Sequence, residues 1–258
     1  MATLTVFPDA NPETTSVDGV ASRLVAGEAF TTIRNGAGTT FTDSVSNDTS
    51  PLLRATTTSN TYDYLRRSIF VFDTSALTSS ASISGATVSV YISGKANPLG
   101  SPDIHIAGAT TSSNTTLSNS DYENVGRTSF ASIAYASISA SGYNNWSLNS
   151  SGISNINTTG VSKFSCQLDW DINNSTTGLT WVSSATSGQG TRLVSEFAED
   201  SGTSFDPKLV VTYTTTSSVT ASVSDSPTIT ESTVASIANN IGTSPPFGIK
   251  ASIKIKDF

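Results

Sequence analysis

A single histidine, His105, and a single cysteine, Cys166, limit the nucleophilic and metal chemistry open to this chain. A Ser–His–acid triad would have to use His105, and a Cys–His pair would need both residues. A multi-histidine or thiolate metal site is excluded by the count. No Gly-x-Ser-x-Gly elbow accompanies the histidine. In Asp103-Ile-His-Ile-Ala107 the histidine faces opposite Ile104 and Ile106, so the alternation predicts a surface residue on an ordinary strand. Cys166 alternates with Phe164 and Leu168 on an apolar face and reads as a small buried hydrophobe.

Asp169-Trp-Asp171-Ile-Asn173 sets three oxygen-bearing side chains at alternate positions. On a strand they share a face, and two carboxylates with an amide suit Ca²⁺, which prefers oxygen ligands. The plainer reading is a solvated strand end. An EF-hand loop is absent, since Asn174 stands at the sixth position. Glu199-Asp200 and Asp121-Tyr-Glu123 would add ligands only if the fold brought them together. Paired carboxylates such as Asp169 and Asp171 also meet the residue requirement of glycoside hydrolysis, but no neighbouring pattern marks them as catalytic. The sequence predicts no catalytic residue and no cofactor beyond this candidate Ca²⁺ site.

Trp146, Trp181 and Tyr143 are the residues a carbohydrate-binding surface would use, because pyranose rings stack on exposed aromatic faces. The competing expectation is that the tryptophans fill a core. Trp181, in polar, turn-rich context, is the one expected to be exposed. Arg67 precedes an apolar run, and its fork is expected to hold a carboxylate such as Asp73 across the strand end.

The elements that must position these groups are strands. Arg67–Phe72 (RSIFVF) is apolar on both faces and reads as a central buried strand. In Ala86–Ile92, Val88, Val90 and Ile92 share one face. Asp103–Ala107, Lys163–Asp169, Arg192–Phe197 and Lys208–Tyr213 follow, separated by Asn, Ser, Gly and Pro clusters. A short helical piece is predicted over 149–156. The absence of strand–helix alternation argues against a parallel sheet. The expected fold class is all-β, an antiparallel β-sandwich of jelly-roll type over residues 1–214.

Residues 215–258 read as a linker and a C-terminal docking arm. After a Ser/Thr-rich connector and a Pro245-Pro246 break, Ile249, Ala251, Ile253 and Ile255 alternate with Lys250, Lys254 and Lys256, ending at Phe258. A lone strand cannot satisfy its own backbone groups, so this ribbon is expected to join a sheet edge by strand addition.

Composition narrows the partners. The 258 residues carry 13 Lys and Arg against 20 Asp and Glu, a formal charge of −7. Nucleic-acid binding, which depends on clustered cations, is disfavoured. No apolar run approaches the ~20 residues that span a bilayer. Charged residues make up only 13%, about half the usual share, and Ser and Thr roughly a third. That composition is typical of an outward-facing protein, yet the N-terminus runs straight into a strand pattern without a basic n-region and apolar core. Release as a virion component accounts for both. A processed chain carrying an added start Met is the alternative.

The stretch Arg67-Ser-Ile-Phe-Val-Phe-Asp-Thr-Ser-Ala-Leu77, followed by Ile83-Ser-Gly-Ala-Thr-Val-Ser-Val-Tyr91 and Pro207-Lys-Leu-Val-Val-Thr-Tyr213, resembles the DNRLRE-type family of β-sandwich domains. That family is similar in turn to carbohydrate-binding-module jelly rolls. The literal motif of the family name is absent, and Val88 stands where a Leu is usual. The whole-chain architecture, with Leu65-Arg-Arg-Ser-Ile-Phe70 and Ser162-Lys-Phe-x-x-x-Leu-x-Trp-Asp171, also resembles predicted structural proteins of tailed phages. The resemblance implies a binding or scaffolding role: a non-enzymatic virion surface protein (capsid decoration, head fibre or tail component). Its expected partners are other virion proteins and further copies of itself, engaged through the arm. The alternatives are a carbohydrate-binding adhesion module, with a glycan as ligand, and a self-assembling extracellular filament subunit.

Overall fold

Strand-forming segments separated by Ser, Asn, Gly and Pro become thirteen antiparallel strands in the computed structural model. It describes residues 1–184, 190–200 and 202–215, which belong to one compact unit, Met1–Ser217. The strands are β1 (Ala2–Val6), β2 (Asp18–Glu28), β3 (Thr40–Thr42), β4 (Asn47–Asp48), β5 (Leu52–Ala55), β6 (Tyr62–Asp73) and β7 (Ala81–Ala96). They continue with β8 (Ile104–Gly108), β9 (Ala131–Ile133), β10 (Gly142–Ser147), β11 (Val161–Leu168), β12 (Gly190–Glu196) and β13 (Lys208–Thr215). Three short helices interrupt them: α1 (Phe30–Asn35), α2 (Ser150–Ser154) and α3 (Asp169–Asn173).

Two long strands organise the fold. Along one side β6 pairs with β2; along the other it pairs first with β5, then with β11. Similarly, β7 carries β10 on one side, and β13 followed by β12 on the other. A strand that changes partners midway turns a corner between layers. The short β5–β12 ladder joins the β7 layer to the β6 layer at that corner. The result is the expected antiparallel all-β fold, sandwich-like, with one continuous hydrogen-bonded path from β1 to β9.

The core follows the alternation. Val88, Val90 and Ile92 of β7 are buried together, as their shared face requires. Strand β6 is buried on both faces. Its even-numbered side presents Phe70 and Phe72, whose rings lie 6.2 Å from Phe197 and Phe164 respectively. Trp146, on β10, is also core: it is 1% exposed and donates from Nε1 to the Ile104 carbonyl on β8. This hydrogen bond satisfies the indole N–H while the ring fills volume.

Several expectations change. Asp169–Asn173 is not strand but the helix α3, with two carboxylates in its first turn and Asn174 in the left-handed conformation (φ 50°) at its end. Acidic residues stabilise a helix start and Asn tolerates that C-terminal conformation, so local chemistry favours this turn over continued strand. His105 is buried although Ile104 and Ile106 are buried too, because β8 is covered on both faces. Arg67 pairs with Asp171, not Asp73. The arm residues Ile249, Lys250, Ile253, Lys254, Ile255, Lys256 and Phe258 lie outside the described residues.

Gly19 has φ +146°, and a Cβ there would collide with the Thr42 carbonyl of β3. Gly19→Ala is expected to cost about 1–3 kcal/mol, read as a lowered urea midpoint with an unchanged slope.

Candidate functional site

Under the odd-numbered face of β6, charge is concentrated around one carboxylate. Arg67 is wholly buried, and its Nε and Nη2 each donate 2.7 Å bonds to Asp171 Oδ2 and Oδ1. The remaining guanidinium donors reach the Tyr122 and Arg34 carbonyls. The plane lies 3.8 Å from the centre of the Tyr122 ring, whose hydroxyl donates to Ile33 O at 2.6 Å. Arg34 approaches Asp171 Oδ1 to 3.6 Å, and Arg127 Nη1 donates to the same oxygen at 2.8 Å. Three guanidiniums therefore share one carboxylate.

Helix α3 aims Asp171 inward, α1 brings Arg34, and the chain after the 119–122 turn brings Arg127. Burial pushes the Asp171 carboxyl up, but Arg67, Arg127 and Arg34 outweigh it and hold it below the usual carboxylate value. For Arg67, burial disfavours the charge, and the attraction of Asp171 more than offsets it. Such a node stabilises only while complete, because removing one partner strands buried charge.

Arg127 is the one member that reaches a surface, with its side chain 32% exposed. It is braced from beneath by Gln167, whose Oε1 accepts at 2.9 Å and whose amide nitrogen donates to Gly126 O and Ser165 Oγ. It lines a cleft of about 540 Å³ with Thr110, Asn124, Thr128, Phe130 and Asn155. A second hollow of about 280 Å³ adjoins it, sharing Ala109, Thr110 and Asn155 and reaching Lys163.

The predicted site residues are not brought to one place. Among the metal candidates, Asp171 is committed to arginines. Asp169 Oδ1 accepts from Asn173 at 2.7 Å and contacts His105 Nε2 at 3.1 Å. Among the described residues no group of three acidic, His or Cys side chains is arranged to hold a metal. Trp146 has no free face. Trp181 is half-buried, more exposed than either other tryptophan, and lines a 260 Å³ slot with Phe30 and Tyr62. Tyr143 sits elsewhere, its ring 5.4 Å from Tyr91 and 3.9 Å beneath Lys208 Nζ. Cys166 is buried, and burial pushes its thiol up. His105 is held between Ser129 Oγ and Asp169.

Sequence reasoning missed Arg127, Phe130 and Asn155. Arg127 and Phe130 lie in loops and Asn155 caps the end of α2, and only the β8 end gathers them. No protein-family model matches the chain, and no curated protein sequence is significantly similar to it.

Two predictions follow from the charges. Asp171→Asn is expected to cost about 3–5 kcal/mol by leaving buried guanidiniums uncompensated, measured by chemical denaturation.

The second concerns an acidic corner. Asp18, wholly buried, accepts from the Ala198 N–H, and burial followed by Glu199 raises its carboxyl well above the usual value. Burial lifts Glu199 to about 7, and burial with Asp200 lifts Asp206 to about 6. Raised folded-state values mean these groups favour folding when protonated, a contribution present at low pH and lost as pH rises through 6 and 7. The thermal midpoint should fall between pH 5 and 8, and Glu199→Gln with Asp206→Asn should flatten that fall. An unchanged profile in the double variant would refute the assignment.

Proposed function

We propose that the protein is a non-enzymatic structural component of a virion surface, a rigid β body fastened to its neighbours by a C-terminal arm. One observation carries this reading: the body's cations are largely engaged by its own carboxylates, carbonyls and aromatic rings. Arg23, Arg34, Arg54, Arg66, Arg67 and Arg127 ion-pair with carboxylates of the body. Lys95 binds the Tyr135 and Ile138 carbonyls, Lys163 the Thr111 carbonyl, and Lys208 lies over Tyr143. The remaining three lysines, Lys250, Lys254 and Lys256, alternate with apolar residues in the arm sequence.

An acidic body and a short basic, apolar ribbon are complementary in charge. A strand edge is there to accept the ribbon. Among the described residues β1 pairs with β13 and with no other strand, so its outer edge offers unpaired backbone groups. The arm of one copy adding to the acidic body of the next gives a chain of contacts suited to a coat, a fibre or a filament. Internal ion pairs and a single core supply rigidity.

A second reading, a carbohydrate-binding adhesion module, is favoured by the slot that half-buried Trp181 lines with Phe30 and Tyr62, a recess of mixed polarity that also includes Asn60 and Thr176. The two readings are compatible, since a virion surface protein can also hold a glycan.

In the full-length chain, Lys250, Lys254 and Lys256 changed together to Glu are expected to convert assemblies to monomers by native mass measurement, with the thermal midpoint of the body unchanged. Assemblies of undiminished size would overturn the arm's role.

A further inference from the structure

The cleft beside β8 carries more positive charge than its surroundings explain. Asp171 is one carboxylate among Arg34, Arg67 and Arg127, so the node behind the cleft wall has excess cationic charge within a protein of net charge −7. Glu123, at the rim, is the acidic residue in the lining and also attracts Arg67. It offsets part of the excess. Burial makes the charge on Arg127 costly, and Arg67 and Arg34 repel it, so its pKa is lowered although Asp171 attracts it. An anion in the cleft would relieve that repulsion.

Arg127 is also geometrically free to take one. Both of its hydrogen bonds, to Gln167 and Asp171, leave from Nη1. Among the described residues no hydrogen bond is made by its Nε or Nη2, the pair of parallel donors that matches a carboxylate edge. The adjoining hollow adds a second cation, Lys163, whose Nζ donates to the Thr111 carbonyl. Apart from Glu123 and Arg127 the cleft lining is uncharged, with Thr110, Thr128, Asn124, Asn155 and Ser151 as its polar groups and Phe130 as an apolar wall. The backbone comes close at Gly126, where a Cβ would stand 3.1 Å from the Gly108 carbonyl oxygen. Many hydroxyl and amide groups, one aromatic wall, an arginine fork with two open donors and a lysine in the adjoining hollow describe a receptor for a polyhydroxylated anion. The combined volume lies in the range of small-ligand sites.

We propose that this cleft binds an acidic sugar, its carboxylate on the Nε–Nη2 edge of Arg127 and its hydroxyls on Asn124, Asn155 and Thr110. The choice of ligand rests on the carbohydrate-binding reading; the site itself does not depend on the virion reading.

The test titrates the full-length protein by calorimetry with an oligogalacturonide, with its methyl ester, with a neutral oligosaccharide of equal length, with acetate and with a polyglutamate peptide. The oligogalacturonide is expected to bind at least about tenfold more tightly than its ester. Arg127→Lys, which keeps the charge and removes the fork, should lose most of that difference. Because Arg127 also belongs to the buried node, its thermal midpoint is measured alongside. Asn124→Ala and Lys163→Gln, which lie outside the node, should weaken the acidic sugar several-fold with folding intact. Equal binding of ester, neutral sugar and acid would overturn the anion site and leave the carbohydrate reading standing. Acetate or polyglutamate binding as tightly as the oligogalacturonide would make the cleft a general anion or peptide site and overturn the proposal. Binding of none of the sugars would overturn both.

Discussion

The structure turns on the Asp171 carboxylate. Four segments distant in sequence (α1, β6, the chain around Arg127, and α3) meet there, and each contributes a group that would be unacceptable in the interior alone. A guanidinium as fully buried as that of Arg67 survives only because each of its nitrogens donates to an acceptor: two carboxylate oxygens and two carbonyls in all, with an aromatic face alongside. Such a node contributes less net stability than an apolar cluster of the same size, since desolvation consumes much of the Coulombic gain. What it supplies is directionality. A bidentate fork fixes the position of α3 relative to β6 far more narrowly than packing alone would.

That fixation reaches the surface through Arg127. Gln167, Ser165 and Gly126 hold it in place, so the cleft wall is as rigid as the sheet behind it. Preorganised donors of this kind lose little conformational entropy on meeting a ligand. The same arginine thus belongs to the interior on one edge and to solvent on the other. The acidic corner at Asp18 is built the opposite way, with carboxylates raised by burial and by neighbouring acids, so protons do there what guanidiniums do at Asp171.

The proposed assembly and ligand-binding roles draw on different parts of this chain. The body's cations are largely engaged by its own carboxylates and carbonyls. The proposed arm carries three lysines in its last nine residues. Opposite charges placed on separate parts of one chain favour contact between copies over collapse within one, provided the ribbon has an edge to join.

Strand alternation, turn residues and the absence of helical periodicity determined the all-β class and much of the core. Val88, Val90 and Ile92 on one face, the two-sided burial of β6 and the burial of Cys166 all follow from a period of two. Composition alone capped the histidine and cysteine chemistry. The identity of Arg67's partner was not legible, because an ion pair between residues 67 and 171 leaves no local pattern, and Asp73 was merely the carboxylate that closes the same strand. Asp169–Asn173 looked like strand by its alternation, which a one-and-a-half-turn helix also tolerates. His105 and Trp146 were decided by layers folding over both faces of β8 and by a carbonyl placed to receive an indole N–H. The cleft, built from loop residues with no periodicity, exists only once the sheets have brought those loops together.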